Sequence, residues 1–184
     1  MARCKNCNEK FIPKVFNSKY CSKEQCQDIS IKLILNRVRV IKRKKWTKDK
    51  REIKERLRTN ADWLKDAQKV VNKYIRIRDK DELNCISCGK QINGVRHASH
   101  YLSAGHHTSV RFNTDNIWVS CYKCNIMLSG NQIEYRIRLI KKIGIKRVEH
   151  LERISNEIKR YSILEIKDLI KEFKVKIKLL YLKS

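Results

Sequence analysis

Apolar residues recur at helical spacing along much of this 184-residue chain and alternate with polar ones in two short runs. Leu33, Val40, Ile41, Ile53 and Leu57, in a stretch without Gly or Pro, predict a helix over 31–58. Trp63, Ala67, Val70, Val71, Tyr74 and Ile77 predict a second helix to about Arg78, capped by Asn60 or Asp62. At that periodicity Trp63 and Tyr74 are expected in the core rather than as base-stacking surface. His97-Ala98-Ser99-His100-Tyr101 reads as a short strand, and Asp115 to Ser120, with Ile117, Trp118 and Val119, reads as another. A helix is expected to begin near Asn125. Ser129-Gly130-Asn131 opens the next, which bears Ile133, Ile137 and Ile140 and ends near Gly144. Ser162-x-x-Glu165 forms a capping-box pattern ahead of Ile166, Leu169, Ile170, Phe173, Ile177 and Leu180. That last amphipathic helix packs on the body or pairs with another copy, and its spacing fits both. No internal repeat is present.

Charge changes the picture from a plain helical protein to one with a polyanionic partner. Forty-four Lys and Arg against 19 Asp and Glu give a formal net charge of +25. A field of that size suits phosphate backbones, whose counterions are released on binding. Its densest source lies in 31–58, where Arg37, Arg39, Lys42, Arg43, Lys44, Lys45 and Lys48 are answered only by Asp49, Glu52 and Glu55. Too many cations are left over for a self-paired surface, so a phosphate-contacting arm is expected. No run of 18 apolar residues exists to span a membrane, and residues 1–10 lack the apolar core of a signal peptide. The expectation is a cytoplasmic, DNA- or RNA-binding chain with no membrane partner.

The eight cysteines form two sets. Cys4-x2-Cys7 is answered by Cys21-x4-Cys26, and Cys85-x2-Cys88 by Cys121-x2-Cys124. Thiolate pairs at such spacing point both sulfurs at one tetrahedral Zn2+, and intracellular cysteines of this kind are metal ligands more often than disulfides. Residues 1–30 are too few to bury much core, so a structural zinc is expected to hold them, with Phe11, Ile12, Val15, Phe16 and Tyr20 packed beside it. The second set frames His97, His100 and Asn116 and is followed directly by Asn125. A neutral His is suited to strip a proton from water because its pKa of about 6.5 lies near neutrality, and phosphodiester hydrolysis needs such a base with a hard divalent ion. His106 and His107 fall in a loop, and His150 in a charged helical stretch.

The order His100, Asn116, Asn125 resembles the His-Asn-His/Asn motif of HNH nucleases, many of which enclose it in two Cys-x2-Cys pairs. The resemblance implies an α+β fold with a zinc-stabilised ββα-metal core of treble-clef type. It also implies His100 as general base, Asn116 as the residue positioning it or the connecting loop, and Asn125 as a ligand of a catalytic metal. A wider resemblance runs along nearly the whole chain. Its carriers are the N-terminal cysteines, Trp63 to Asn72, Arg76-Ile-Arg-Asp79, Cys85-Ile-Ser-Cys-Gly89, Ser99-His-Tyr101, Arg111-Phe-Asn113, Asn116-Ile117, Cys124-Asn125 and Leu128-Ser-Gly-Asn131. Through these the chain is similar to the lambdoid-phage NinG family, the Rap recombination nucleases.

That resemblance implies an endonuclease acting on Holliday junctions and D-loops in a bacterial host, alongside phage or host recombination proteins. A homodimer would suit symmetric cutting of a four-way junction. The family reads Asp-Ala-Gly-His-Tyr where this chain has His97-Ala-Ser-His-Tyr101. His97 then takes the place of a metal-binding carboxylate, which favours Mn2+ or another transition ion over Mg2+, and Ser99 adds bulk beside the base. Arg111 is a candidate phosphate clamp. The expected organisation is a zinc ribbon or knuckle over 1–30, a basic helical arm over 31–60, a nuclease core over 61–144 and a helical region over 145–184. Three rival readings stay open: a non-cleaving branched-DNA-binding accessory protein, a sequence-specific HNH endonuclease, and a zinc-ribbon RNA-binding protein.

Overall fold

The computed structural model describes residues 1–182, so the last two positions of the C-terminal region 145–184 lie outside the described residues. The chain divides into two compact units, Met1–Arg58 and Thr59–Ser184.

In the first unit, β1 (Ala2–Arg3) and β2 (Lys10–Phe11) pair antiparallel around the first Cys-x2-Cys turn. Helix α1 (Glu24–Arg56) follows. It begins inside the cysteine module, since Cys26 sits in its first turns and is its buried residue. At 33 residues without Gly or Pro it exceeds the roughly 12–15 residues at which an isolated helix becomes marginal. Acidic Glu24 in the first turn and basic Lys54 and Arg56 in the last also suit the helix dipole. Phe11 and Tyr20 pack against the cysteines, but Ile12, Val15 and Phe16 are exposed. The expected five-residue packing fails because so small a knuckle has only one side to cover, and residues 12–18 turn away from it.

The second unit is built on a two-stranded hairpin held between helices. Helix α2 (Asn60–Arg78) starts at Thr59, whose side chain and Asp62 form a capping box, so the cap lies one residue before the predicted pair. Strands β3 (His97–His100) and β4 (Ile117–Ser120) pair antiparallel, with His97 opposite Ser120 and His100 opposite Ile117. Side chains alternate across a strand, which sorts this hairpin into two faces. Ala98, Ile117 and Val119 pack with Ala67, Val71 and Ile75 of α2. Trp118 packs on the opposite side with Tyr135 and Leu139 of α3 (Gln132–Ile143) and Val148 and Leu151 of α4 (Ile145–Ile154). Helix α5 (Ile163–Leu182) lays Ile166, Ile170 and Phe173 against α2, with the Tyr74 and Phe173 rings edge to face at 5.1 Å. Packing on the body, one of the two roles its spacing allowed, is therefore met.

Two features tie the layers together. Buried Asp79 accepts from Arg78 Nε at 2.5 Å and from the Val119 amide at 3.3 Å. Arg78 reaches on to the carbonyls of Thr114 and Ile117 and lies 4.0 Å over the Trp118 ring, fastening the end of α2 to β4. Removing one partner of a buried pair costs about 3–5 kcal/mol, so Asp79→Ala should lower the melting temperature of the second unit, read by calorimetry. On the other side, Arg136 donates to both oxygens of Glu152 at 2.7 and 3.0 Å, and the Tyr101 hydroxyl donates to Glu152 at 2.6 Å. The Arg136 bonds hold the Glu152 carboxyl below its ordinary pKa.

After β4 the chain departs from the expected helix at Asn125. It makes one π-type turn over Lys123–Met127, and Ser129, Gly130 and Asn131 then all take positive φ (48°, 99° and 51°). Three successive left-handed residues cannot continue a right-handed helix, so the regular helix begins only at Gln132. The connection leaves the fold mixed α+β, with small sheets and two four-cysteine clusters.

Candidate functional site

Both cysteine sets close into quartets. Their sulfurs lie within 4.8 Å of one another in each, with Cys7 and Cys21 at 3.7 Å and Cys88 and Cys121 at 4.0 Å. Zinc–sulfur bonds of about 2.3 Å in tetrahedral geometry put sulfurs roughly 3.8 Å apart, so both quartets fit a structural Zn2+. All eight cysteines are free thiols.

The two knuckles share one backbone device. The residue after the second cysteine, Asn8 or Gly89, has positive φ (59° and 70°), and its amide returns to the carbonyl of the first cysteine at 3.0 and 2.8 Å. A Cβ at Gly89 would also meet the Arg138 guanidinium, the far end of a flexible side chain that would have to move aside. Burial opposes ionisation of Cys4, yet the amides of Cys7, Cys21 and Asn6 outweigh it and draw the thiol down to about 6. The same balance, with the amides of Cys88, Cys121 and Ser87, brings Cys85 to about 7. Each quartet thus presents one readily formed thiolate.

The remaining predicted residues gather around the hairpin. His100 is half-buried on its α2 face. Its Nε2 lies 3.0 Å from the Arg111 carbonyl and 3.5 Å from Gln68 Nε2. A carbonyl only accepts, so Nε2 carries the proton and Nδ1 keeps the lone pair. Burial, reinforced by the Arg111 charge and opposed by the bond to the Arg111 carbonyl, holds the imidazole below its ordinary value of 6.5. Arg111 Nε in turn donates to Gln68 Oε1 at 3.4 Å, while Gln68 Nε2 donates to Asn72 at 2.9 Å. Gln68 therefore accepts from the guanidinium and lies beside His100 without bonding to it, since both nitrogens of that approach are donors; sequence reading missed this placement because a Gln on an amphipathic helix looks like plain polar surface.

Asn116 is fully buried and closes the loop between the strands. Its amide donates to the carbonyls of Leu102 and Val110 at 2.9 and 3.1 Å, and its oxygen accepts from the Leu102 amide at 2.8 Å. Three such bonds, worth about 1 kcal/mol each and more when partners are left buried and unpaired, predict a loss of several kcal/mol for Asn116→Ala in chemical denaturation.

His97 and His100 are not brought together. Three positions apart on β3, they leave opposite faces of the hairpin. The His97 ring lies against Tyr122, centroids 5.7 Å apart, beside the π-type turn that carries Asn125. Ser99 shares the His97 face, so its bulk points away from His100; its hydroxyl is buried without a hydrogen-bond partner. Among the described residues, the two cysteine quartets are the groups of three or more His, Cys, Asp or Glu that converge as metal ligands. His97 and Asn125 each carry a neutral donor group and lie outside both quartets. Among the described residues no hydrogen bond or ring contact joins His106 or His150 to His100, while His107 Nδ1 lies 3.1 Å from the Ser155 carbonyl. On α1, Arg37, Arg39, Lys42, Arg43, Lys44 and Lys45 are exposed, and none of these six forms an ion pair among the described residues, whereas Lys48 approaches Glu52 at 3.8 Å. No described helix is long and apolar enough to cross a membrane.

Comparison with known families decides the lineage. The family model for the bacteriophage lambda NinG protein matches residues 1–182. The chain belongs to the NinG family. It is 36% identical to protein ninG of Escherichia phage lambda, over 96% of this chain and 91% of that protein. Protein ninG of Salmonella phage P22 is 35% identical, over 96% and 92%, and that of Escherichia phage 933W is 33% identical over the same shares. No solved structure matches. Within this NinG chain, the Arg76-Ile-Arg-Asp79 stretch that carried the resemblance turns out to supply the buried Arg78–Asp79 fastening.

Proposed function

We propose that the chain is a metal-dependent, structure-specific DNA endonuclease acting on branched recombination intermediates such as Holliday junctions and D-loops. The observation that carries this reading is His100, held neutral by burial with Nε2 committed to a carbonyl and its Nδ1 lone pair retained, beside the Arg111 guanidinium. Such an imidazole accepts a proton from water near neutral pH. Arg111, steadied by Gln68, supplies positive charge and donors for a phosphate oxygen. Asn116 keeps the loop carrying Arg111 closed on the hairpin.

A divalent ion would supply polarisation of the phosphate. His97 and Asn125 would hold it, a neutral nitrogen–oxygen pair better matched to Mn2+ than to Mg2+. The exposed cations of α1 would grip duplex arms through backbone phosphates, which carry no direct sequence information, so recognition by shape fits better than base readout.

A second reading, a branched-DNA-binding recombination protein that does not cut, is favoured by one observation: His97 and His100 leave opposite faces of β3. Gel cleavage of matched four-way-junction, D-loop and linear DNA with Mg2+ or Mn2+ separates the two. Junction-selective cutting supports the endonuclease. Junction binding without cutting in either metal sinks it and leaves the second reading.

A further inference from the structure

The most exposed aromatic side chain of the chain lies in the zinc knuckle, at a place the nuclease reading does not use. Phe16 is 94% exposed, with Ile12 at 78% and Val15 at 69% beside it. The segment is not a loose loop. The Ser18 amide bonds to the Val15 carbonyl at 3.0 Å, which makes residues 15–18 a β-turn with Phe16 at its first corner. Asn17 at the second corner takes φ 65°, a conformation Asn tolerates. Just beyond the turn the Lys5 amide closes on the Lys19 carbonyl at 2.9 Å, next to the Cys4–Cys7–Cys21–Cys26 quartet. An apolar tip is thus presented on a rigid base, with little ordering left for a partner to impose.

Its surroundings say what that partner is. Arg3, Lys5, Lys10, Lys14 and Lys19 surround the tip in sequence, while the one nearby acid, Glu9, is paired to Lys23 at 2.5 Å. Such a cationic collar opposes a second copy of the same knuckle and welcomes a polyanion. Nucleic acid offers phosphates to the collar and flat apolar faces to the Phe, and proteins kink or open duplexes by inserting apolar side chains of this kind between base steps.

We propose that the turn over residues 15–18, led by Phe16, is a wedge that stacks on the bases at the branch point of DNA, where pairing is already interrupted and unstacking costs least. This rests on reading the partner as DNA and not on the cleavage chemistry. The knuckle then contributes selectivity for branches, while α1 contributes sequence-independent grip.

The test uses the full chain with its zinc, no added Mg2+ or Mn2+, and four-way junctions carrying 2-aminopurine either at the branch or within an arm. Wild type should raise the branch signal and leave the arm signal alone. Phe16→Ala should lose that rise and bind the junction roughly tenfold more weakly, as expected for one lost base–aromatic stack, with affinity for linear duplex unchanged. Phe16→Trp should restore both. Because the side chain is exposed, the Ala variant should keep full zinc content and α-helical circular dichroism. The proposal is overturned if Phe16→Ala unstacks the branch base as well as wild type does. It is equally overturned if the variant weakens linear and branched DNA alike, or if its main effect is to convert a dimer into a monomer. Since nothing is cut in this assay, a protein that opens the branch here yet cuts junctions with neither Mg2+ nor Mn2+ would end the endonuclease proposal and leave the wedge standing.

Discussion

His100→Ala is expected to slow junction cleavage by about 10²–10⁴-fold, the usual contribution of a positioned general base, while junction affinity stays near wild type. The reason is local. His100 spends one nitrogen on the Arg111 carbonyl, so what it would bring to the proposed reaction is the other lone pair. The pH profile gives the claim a second handle. Burial holds the folded pKa below the ordinary 6.5, so the acid limb of the cleavage rate should fall below pH 6.5. Stability should move in the same direction. Between the ordinary and the lowered values the unfolded chain binds more protons at this site than the folded one. The stabilising contribution is therefore whole above the ordinary value and is lost as pH falls through the folded one. A cleavage rate indifferent to His100→Ala, with junction-selective cutting retained, would remove this residue from the chemistry.

Loss of zinc from the second quartet should unfold the larger unit. Structural zinc contributes roughly 10–16 kcal/mol of apparent binding free energy, which matches or exceeds the roughly 5–15 kcal/mol that holds a typical domain together. Here the quartet joins the knuckle at Cys85 and Cys88 to the end of β4 at Cys121 and Cys124, and Cys85 and Cys124 are themselves part of the main core. Cys121→Ser, or treatment with a strong chelator, should abolish the cooperative thermal transition of that unit in calorimetry. Cys4→Ser should instead leave that transition in place and release one equivalent of zinc, because its quartet lies in the separate unit ending at Arg58. An unchanged transition in Cys121→Ser would mean that packing of α2, α5 and the hairpin suffices without the ion.

Much of this protein could be read in one dimension because its strongest devices are local. Cys-x2-Cys spacing fixes a knuckle within a few residues, and the helical periods of 60–78 and 162–182 already name the residues that meet, Ala67, Val71 and Ile75 against Ile166, Ile170 and Phe173. The capping box at Ser162 and Glu165 likewise forms where it was expected, with bonds of 2.7 and 3.2 Å. What failed to show was any feature that depends on a neighbour distant in sequence. The helix expected at Asn125 became a π-type turn because three residues beyond it adopt positive φ. The outward turn of Ile12, Val15 and Phe16 depends on how little surface a knuckle can cover.

The sequence by itself determined the lineage, the two cysteine sets, the positive field and the order of helices and strands, since each follows from residue type and short-range spacing. Tertiary structure decided which side of the hairpin each histidine takes and what it meets there. Strand alternation separates His97 from His100, and the 32-residue and 43-residue separations that set Gln68 beside His100 and bond it to Arg111 close only when α2 packs on the hairpin. Contacts of that range are set by the packing of buried apolar faces, which a linear pattern can demand but cannot aim.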